Sequence, residues 1–410
     1  MKTNKYLFGI LYIALFISIS GCHNLFDDDD KEPELNYLVN YEVMRSYLPV
    51  MVEAMFDQLV TSYPEMEEIQ ERVKYGLVVY KITYKTTFKG EPITASGLVS
   101  APMGEGSFPT ISYQNGTNTL HSNAPSVNPD RDFYRLLEAV ASTGFVISMP
   151  DYLGFGSTDD MFHPYLHKNS TVPVVVDMLK AVEELGTLRG FGLNNDLYLT
   201  GYSLGGWATL QVQKEMETNN SSGFNLKASA PSAGPYLLNS INDYIISQQT
   251  YPMPYFLGFV YDSYKNMEEL TTPLDEIFNS PYDSLIAVSY NGKLSGDEIN
   301  SRLTSNVTKL FTENYRENRD TDTLYTSITL ALGSNSVEPW NISTPTRLIH
   351  STGDELVPFL VSQNIYQEFL NEGTNTSTIS LIPMPGYSHA NGIIPAGLFS
   401  IQWFFEILDE

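Results

Sequence analysis

One cysteine, Cys22, stands in a chain of 410 residues, so no disulfide can close within it. Basic residues are scarce: 23 Lys and Arg face 48 Asp and Glu, a formal net charge of −25. No stretch clusters Lys and Arg as phosphate binding requires, which argues against nucleic acid as a partner. No apolar run reaches the roughly 20 residues of a membrane-spanning helix. A phosphate loop, a dinucleotide fingerprint and a cysteine cluster are all missing, so no cofactor is implied. What remains, 42% hydrophobic and 17% charged residues, is the composition of an ordinary globular protein long enough to bury a large core.

The amino terminus reads as a targeting segment. Lys2 and Lys5 precede an apolar run over residues 6–19, too short for a membrane span and flanked as a secretory signal is. The run ends Ile19-Ser20-Gly21-Cys22, which resembles the lipobox of bacterial lipoproteins. That resemblance implies removal of residues 1–21 and a lipid anchor on Cys22. Residues 22–36 are polar and acidic, a solvated tether. Within them Asp27 to Asp30 resemble the acidic export signal of Bacteroidota-type surface lipoproteins, so the expected location is the outer membrane, at the cell surface.

Residues 37–410 are expected to form one domain. Residues 41–75 show a helical, amphipathic pattern, and two β-rich runs, 77–87 and 93–100, flank the turn-like Lys89-Gly90-Glu91-Pro92. Strands and helices then alternate: strand 110–113, helix 131–141, strand 145–150, helix 172–185, strand 197–200 and strand 226–230. Strands 347–350 and 379–383 continue the series. Such alternation predicts a mostly parallel sheet with helices on both faces. It stops at about 236–343, where helical pieces such as 237–247 and 296–313 occur without a strand series. An insertion at that place predicts a cap over the carboxyl edge of the sheet, where open α/β sheets bind ligands.

The chemistry begins at Gly201-Tyr202-Ser203-Leu204-Gly205. A serine between two glycines, after the strand 197–200 and before apolar residues at helical spacing (Leu204, Trp207, Leu210), fits a nucleophile raised on a sharp strand-to-helix turn. A serine hydroxyl attacks only when a base takes its proton, and the base needs a carboxylate to hold its tautomer. Of six histidines, only His350 and His389 follow Ser203. His389 sits in the glycine-bearing loop MPGYSHANG and is the expected base, whereas His350 ends the apolar strand RLIH and is expected to pack inside. In IHSTGDELVP the acid is Asp354, with the adjacent Glu355 as the alternative.

GYSLGG, STGDELVP and GYSH resemble the elbow, acid loop and histidine loop of the α/β-hydrolase superfamily, a likeness covering roughly residues 75–410. YQNGTNT, MPDYLGFGST with HPYLH, and the large insertion are similar to its secretory lipase and esterase group. The histidine-glycine pair common there before the oxyanion residue is Asn115-Gly116 in this chain. The oxyanion hole needs two N–H donors. Leu204, next to the nucleophile at a helix start, is expected to give one. Thr117, then Gly116, are the candidates for the other.

Three further features remain. Asp151, in DYLGFG, is expected to be structural. His163 and His167 flank Pro164-Tyr165, a weak metal signal, and no metal site is expected. Six aromatics within residues 251–264 point to an apolar acyl or aryl site under the cap, or to packing of the cap's own core. The expected activity is hydrolysis of a small or lipid-like carboxylic ester. A serine peptidase on the same scaffold is the alternative, and a surface-binding lipoprotein with a vestigial triad is a third reading.

Overall fold

The computed structural model describes residues 34–219 and 223–410. The targeting segment, Cys22 and most of the acidic tether lie outside the described residues. The Glu184 carboxylate accepts the backbone N–H groups of Asn36, Tyr37 and Leu38.

The described residues form a nine-stranded sheet: β1 (Leu38–Tyr47), β2 (Gly76–Phe88), β3 (Glu91–Met103), β4 (Ser107–Gln114), β5 (Val146–Pro150), β6 (Gly192–Tyr202), β7 (Asn225–Ser232), β8 (Thr346–Ser351) and β9 (Ile379–Met384). Their order is β1-β2-β3-β5-β4-β6-β7-β8-β9. The first three strands pair antiparallel, as do β3 and β5, and every pairing from β5 to β9 is parallel. The β2–β3 hairpin turns through Lys89 and Gly90, both at positive φ (50° and 83°), the conformation that matches a two-residue turn to the strand twist. Along β2, Tyr80, Ile82 and Tyr84 join one core cluster while Leu77 and Val79 join the other. Alternate side chains thus bury on opposite faces, which is why these strands read as continuous apolar runs. Helices Lys168–Arg189 and Leu204–Asn219 cover one face, and Pro49–Ser62, Asp132–Val140 and Ile393–Asp409 the other.

Two expectations are corrected. Residues 41–47 belong to β1 and not to a helix; the helix begins only at Pro49. Residues 296–313 do not form one helix but the short helices Gly296–Arg302, Val307–Leu310 and the start of Glu313–Asn318, each opened afresh by the side chain of Ser295, Asn306 or Thr312.

Between β7 and β8 the chain is helical, and among the described residues it holds only isolated bridges in place of strands. This segment is tied to the sheet domain through Asn335. The Asn335 carbonyl accepts from Trp207 Nε1 (2.8 Å), on the helix that follows Ser203. The Asn335 amide oxygen accepts from Lys168 N (3.0 Å), and its nitrogen donates to Glu269 Oε2 (3.2 Å), whose other oxygen lies 3.0 Å from His167 Nε2.

Candidate active site

The strand order reverses about β4, whose neighbours are β5 and β6. The loops leaving the carboxyl ends of β4 and β6 part there, opening the crevice in which such sheets place ligands. Ser203 stands at this point. Its φ is +60°, an unfavourable conformation for a residue with a side chain, and its N–H donates to Ser232 O (2.9 Å). The flanking glycines are required by close approach. A Cβ on Gly201 would stand 2.5 Å from Gly205 O, and one on Gly205 would overlap Gln114 O.

His389 arrives on the loop after β9. Its Nε2 is 2.9 Å from Ser203 Oγ, and its Nδ1 is 2.6 Å from Asp354 Oδ2. A carboxylate only accepts, so Nδ1 carries the proton and Nε2 is left to accept from the serine hydroxyl. Asp354, in the loop after β8, has a fully buried side chain whose Oδ1 accepts from Leu356 N (2.9 Å) and Val357 N (2.8 Å). Burial alone would raise its pKa. Hydrogen bonds from His350 and His389 outweigh that and hold the carboxyl well below the usual aspartate range.

Glu355, the alternative acid, is turned to another use: its Oε2 accepts the backbone N–H of His389 (3.0 Å). Tyr202 donates its O–H to the His389 carbonyl (2.7 Å), and burial, with Asp354 and Glu355 nearby, pushes its phenol far above the ordinary range, so it remains a donor. Ser351 Oγ donates to Tyr387 O (2.6 Å) and accepts from Tyr387 N (3.1 Å), clasping the acid loop to the histidine loop. Sequence reasoning missed Tyr202 and Ser351, although both adjoin motifs it had found.

His350 is fully buried, as expected of a packed residue, but it also reaches the acid. Its Nε2 lies 3.2 Å from Asp354 Oδ2 and 2.9 Å from Val357 O, while Ser362 Oγ is 2.7 Å from Nδ1. Two acceptors facing Nε2 fix the proton there, and the Ser362 hydroxyl then donates to Nδ1.

Leu204 opens the helix after Ser203, and Gly116 and Thr117 line the open cavity that Ser203 faces. No hydrogen bond from the N–H of Leu204, Gly116 or Thr117 occurs among the described residues. Asn115 holds their loop in place, its Nδ2 donating to Pro150 O (2.6 Å). Asp151 is buried and accepts from Ser96 Oγ, Ser126 N and Ser126 Oγ, joining the end of β5 to strand β3 and to the loop that carries Ser126. His163 binds Leu153 O through Nδ1, and burial pushes its pKa down to about 4. Among the described residues no group of three or more His, Cys, Asp or Glu is placed to hold a metal ion.

An apolar cavity starts at Ser203 and His389 and runs beneath helices Leu238–Ser247 and Tyr255–Asn266, past Leu238, Ile241, Phe256 and Val260. The aromatic run thus divides. Tyr251, Phe256 and Tyr261 line this cavity. Phe259 instead is stacked between Tyr165, ahead of β6 in the sheet domain (4.4 Å between centroids), and Tyr290 of the segment (4.6 Å).

Comparison with solved structures gives the same architecture. A protein from Legionella pneumophila superposes with a TM-score of 0.78 at 25% identity, covering 90% of this chain and 98% of that one. The rice cell wall degrading esterase LipA from Xanthomonas oryzae, in a ligand-bound form, superposes with a TM-score of 0.75 at 25% identity over 92% and 98%. The protein is an α/β-hydrolase. Candida antarctica lipase A in its closed state shares the fold at 16% identity (TM-score 0.60, covering 89% and 81%). A model of the prolyl oligopeptidase family matches residues 131–220 of the α/β-hydrolase, the part that carries the serine turn. A search of curated proteins gives no match.

Proposed function

We propose that this α/β-hydrolase is a serine carboxylic ester hydrolase. The observation that carries the reading is the unbroken line of hydrogen bonds from Ser203 through His389 to Asp354 at the mouth of an apolar cavity. Ser203 Oγ attacks the ester carbonyl as His389 Nε2 takes its proton, and Asp354 steadies the imidazolium. The carbonyl oxygen becomes an oxyanion held by the N–H groups of Leu204 and of Thr117 or Gly116. Collapse breaks the bond to the alcohol, which leaves with the proton from His389. Water, deprotonated by the same imidazole, then attacks the acyl-enzyme; the tetrahedral adduct expels Ser203 Oγ, which recovers its proton, and the acid is released.

The helical segment between β7 and β8 acts as the cap, and the cavity beneath it takes the acyl group. Charged side chains are missing from that cavity's lining, which suits an aliphatic or aryl acid. The likeness to the rice cell wall degrading esterase LipA supports the same reading. The prolyl oligopeptidase match favours a second one, a serine peptidase, because both chemistries pass through an acyl-enzyme. An aminopeptidase, however, needs a carboxylate to grip a protonated amine, and the cavities on Ser203 have no Asp or Glu in their lining. Export and lipid anchoring through Cys22 belong to the proposal too; labelling with a palmitate analogue should tag the wild type and not Cys22→Ser.

The decisive experiment pairs a fluorophosphonate probe with two substrate panels, p-nitrophenyl esters and aminoacyl or prolyl anilides. Labelling at Ser203, lost in Ser203→Ala, together with ester turnover is expected. Faster cleavage of anilides would establish the peptidase instead. A folded protein inert to the probe and to both panels would leave the triad vestigial.

A further inference from the structure

Two cavities meet at Ser203 and His389, and they differ in chemistry. One is the apolar cavity beneath the cap. The other, about 1210 Å3 with its open mouth, is bounded by Gly116, Thr117, Asn118, Arg131, Tyr134 and Tyr255. Apart from the titratable His389, Arg131 is the one charged residue in that lining. On a chain with 48 acidic and 23 basic residues, a cation unopposed across its own cavity runs against the overall balance. The acidic neighbours of Arg131 in sequence do not line the cavity. Asp130 is engaged by Arg45, and Asp132 opens the helix Asp132–Val140. Arg131 makes none of the ion pairs found among the described residues. Its guanidinium instead lies 5.7 Å from the Tyr134 ring centroid and hydrogen-bonds that side chain, which engages part of its five-donor fork and leaves the remaining N–H groups for an incoming acceptor.

Resting on the ester hydrolase reading, we propose that Arg131 recognises an oxyanion on the alcohol portion of the ester. The substrate is then two-sided. Its acyl group is apolar and fills the cavity beneath the cap, and its alcohol carries a carboxylate or a similar anion into the open cavity. Planar, bidentate donation by the guanidinium suits such a group. At an exposed position the attraction is modest and is screened by salt.

Two butanoyl esters of matched shape test this: 4-(butanoyloxy)benzoate, with a charged alcohol portion, and the neutral 4-(butanoyloxy)benzamide. The quantity read is the ratio of kcat/KM for the charged ester to that for the neutral one, in wild type and in Arg131→Gln. The substitution should lower the ratio about fivefold, and added salt should shrink the wild-type ratio toward that of the variant. A sulfonate analogue separates a preference for carboxylate from one for any oxyanion. An unchanged ratio in Arg131→Gln, with both esters still hydrolysed, overturns the inference and leaves the esterase reading intact. If Arg131→Gln instead loses activity on a p-nitrophenyl hemisuccinate, whose charge lies on the acyl side, the placement on the alcohol is wrong. Should wild type hydrolyse neither these two esters nor any p-nitrophenyl ester, or Ser203→Ala hydrolyse both, the esterase reading fails and this inference falls with it.

Discussion

His350 and His389 share one oxygen of Asp354, at 3.2 Å from Nε2 of the first and 2.6 Å from Nδ1 of the second. The shorter bond goes to the base, and His350 divides its proton between the carboxylate and Val357 O. Removing that donor leaves the carboxylate more basic and freer to turn. His350→Leu should therefore lower kcat about tenfold in a folded protein. A loss of stability with kcat unchanged in the folded protein would make His350 a packing residue only.

Asp354 and Glu355 are neighbours with separate tasks, one on the imidazole ring and the other on the His389 backbone. Asp354→Asn should cut kcat by about 10⁴, since the amide permits the wrong tautomer. Glu355→Gln keeps an acceptor for the same N–H and should stay within about tenfold of wild type. Steady-state kinetics on a p-nitrophenyl ester checks both.

Two glycines predict opposite signs. Gly205→Ala drives a Cβ into the backbone oxygen of Gln114, which cannot move without shifting β4, so the variant should be inactive and strongly destabilised. Gly397 lies inside the helix Ile393–Asp409 with nothing within 4 Å of its would-be Cβ. There Gly397→Ala should raise stability by about 0.5–1 kcal/mol, read from urea unfolding at constant m.

Stability should also vary with pH through Asp262, which burial pushes up to about 7 against the opposing effect of Lys265 and Asn266. The folded state then holds a proton that the unfolded chain releases near pH 4. Unfolding free energy should fall as pH rises from about 4 to about 7, and Asp262→Asn should flatten that slope and raise Tm at pH 8. Asp354 has the opposite sign: its folded-state pKa is depressed, so its contribution is present above about pH 4 and is lost below. Thermal melts across this range separate the two.

How far the sequence could be read depended on whether a pattern was local. The serine turn, the parallel strands and the acid and histidine loops each keep their signal within about ten residues, and the structure brings Ser203, His389 and Asp354 into one line. β1 misled because it is bulged. Register shifts between Leu38 and Asn40 and between Val43 and Arg45 interrupt the two-residue alternation. Only Leu38, Tyr41, Arg45 and Tyr47 turn inward along it, at spacings of three, four and two, so no two-residue alternation marks it as a strand. Residues 296–313 hid their breaks in ordinary polar residues, although Ser295 and Glu298 form a capping box that marks one start. The second role of His350 was out of reach, because its bond to Asp354 exists only once the loop after β8 folds back over the strand end.

The ties through Asn335 bear on how this enzyme would meet an insoluble substrate. The helical segment is bonded at the end of helix Thr326–Asn335 to the helix behind the nucleophile, and to His167 and Lys168 as well, so swinging that part aside would break those bonds. If the segment stays in place, substrate enters through the open mouth one molecule at a time, and an oil–water boundary lifts no lid. Rate plotted against substrate concentration should accordingly run smoothly through the critical micelle concentration, without the jump of interfacial activation.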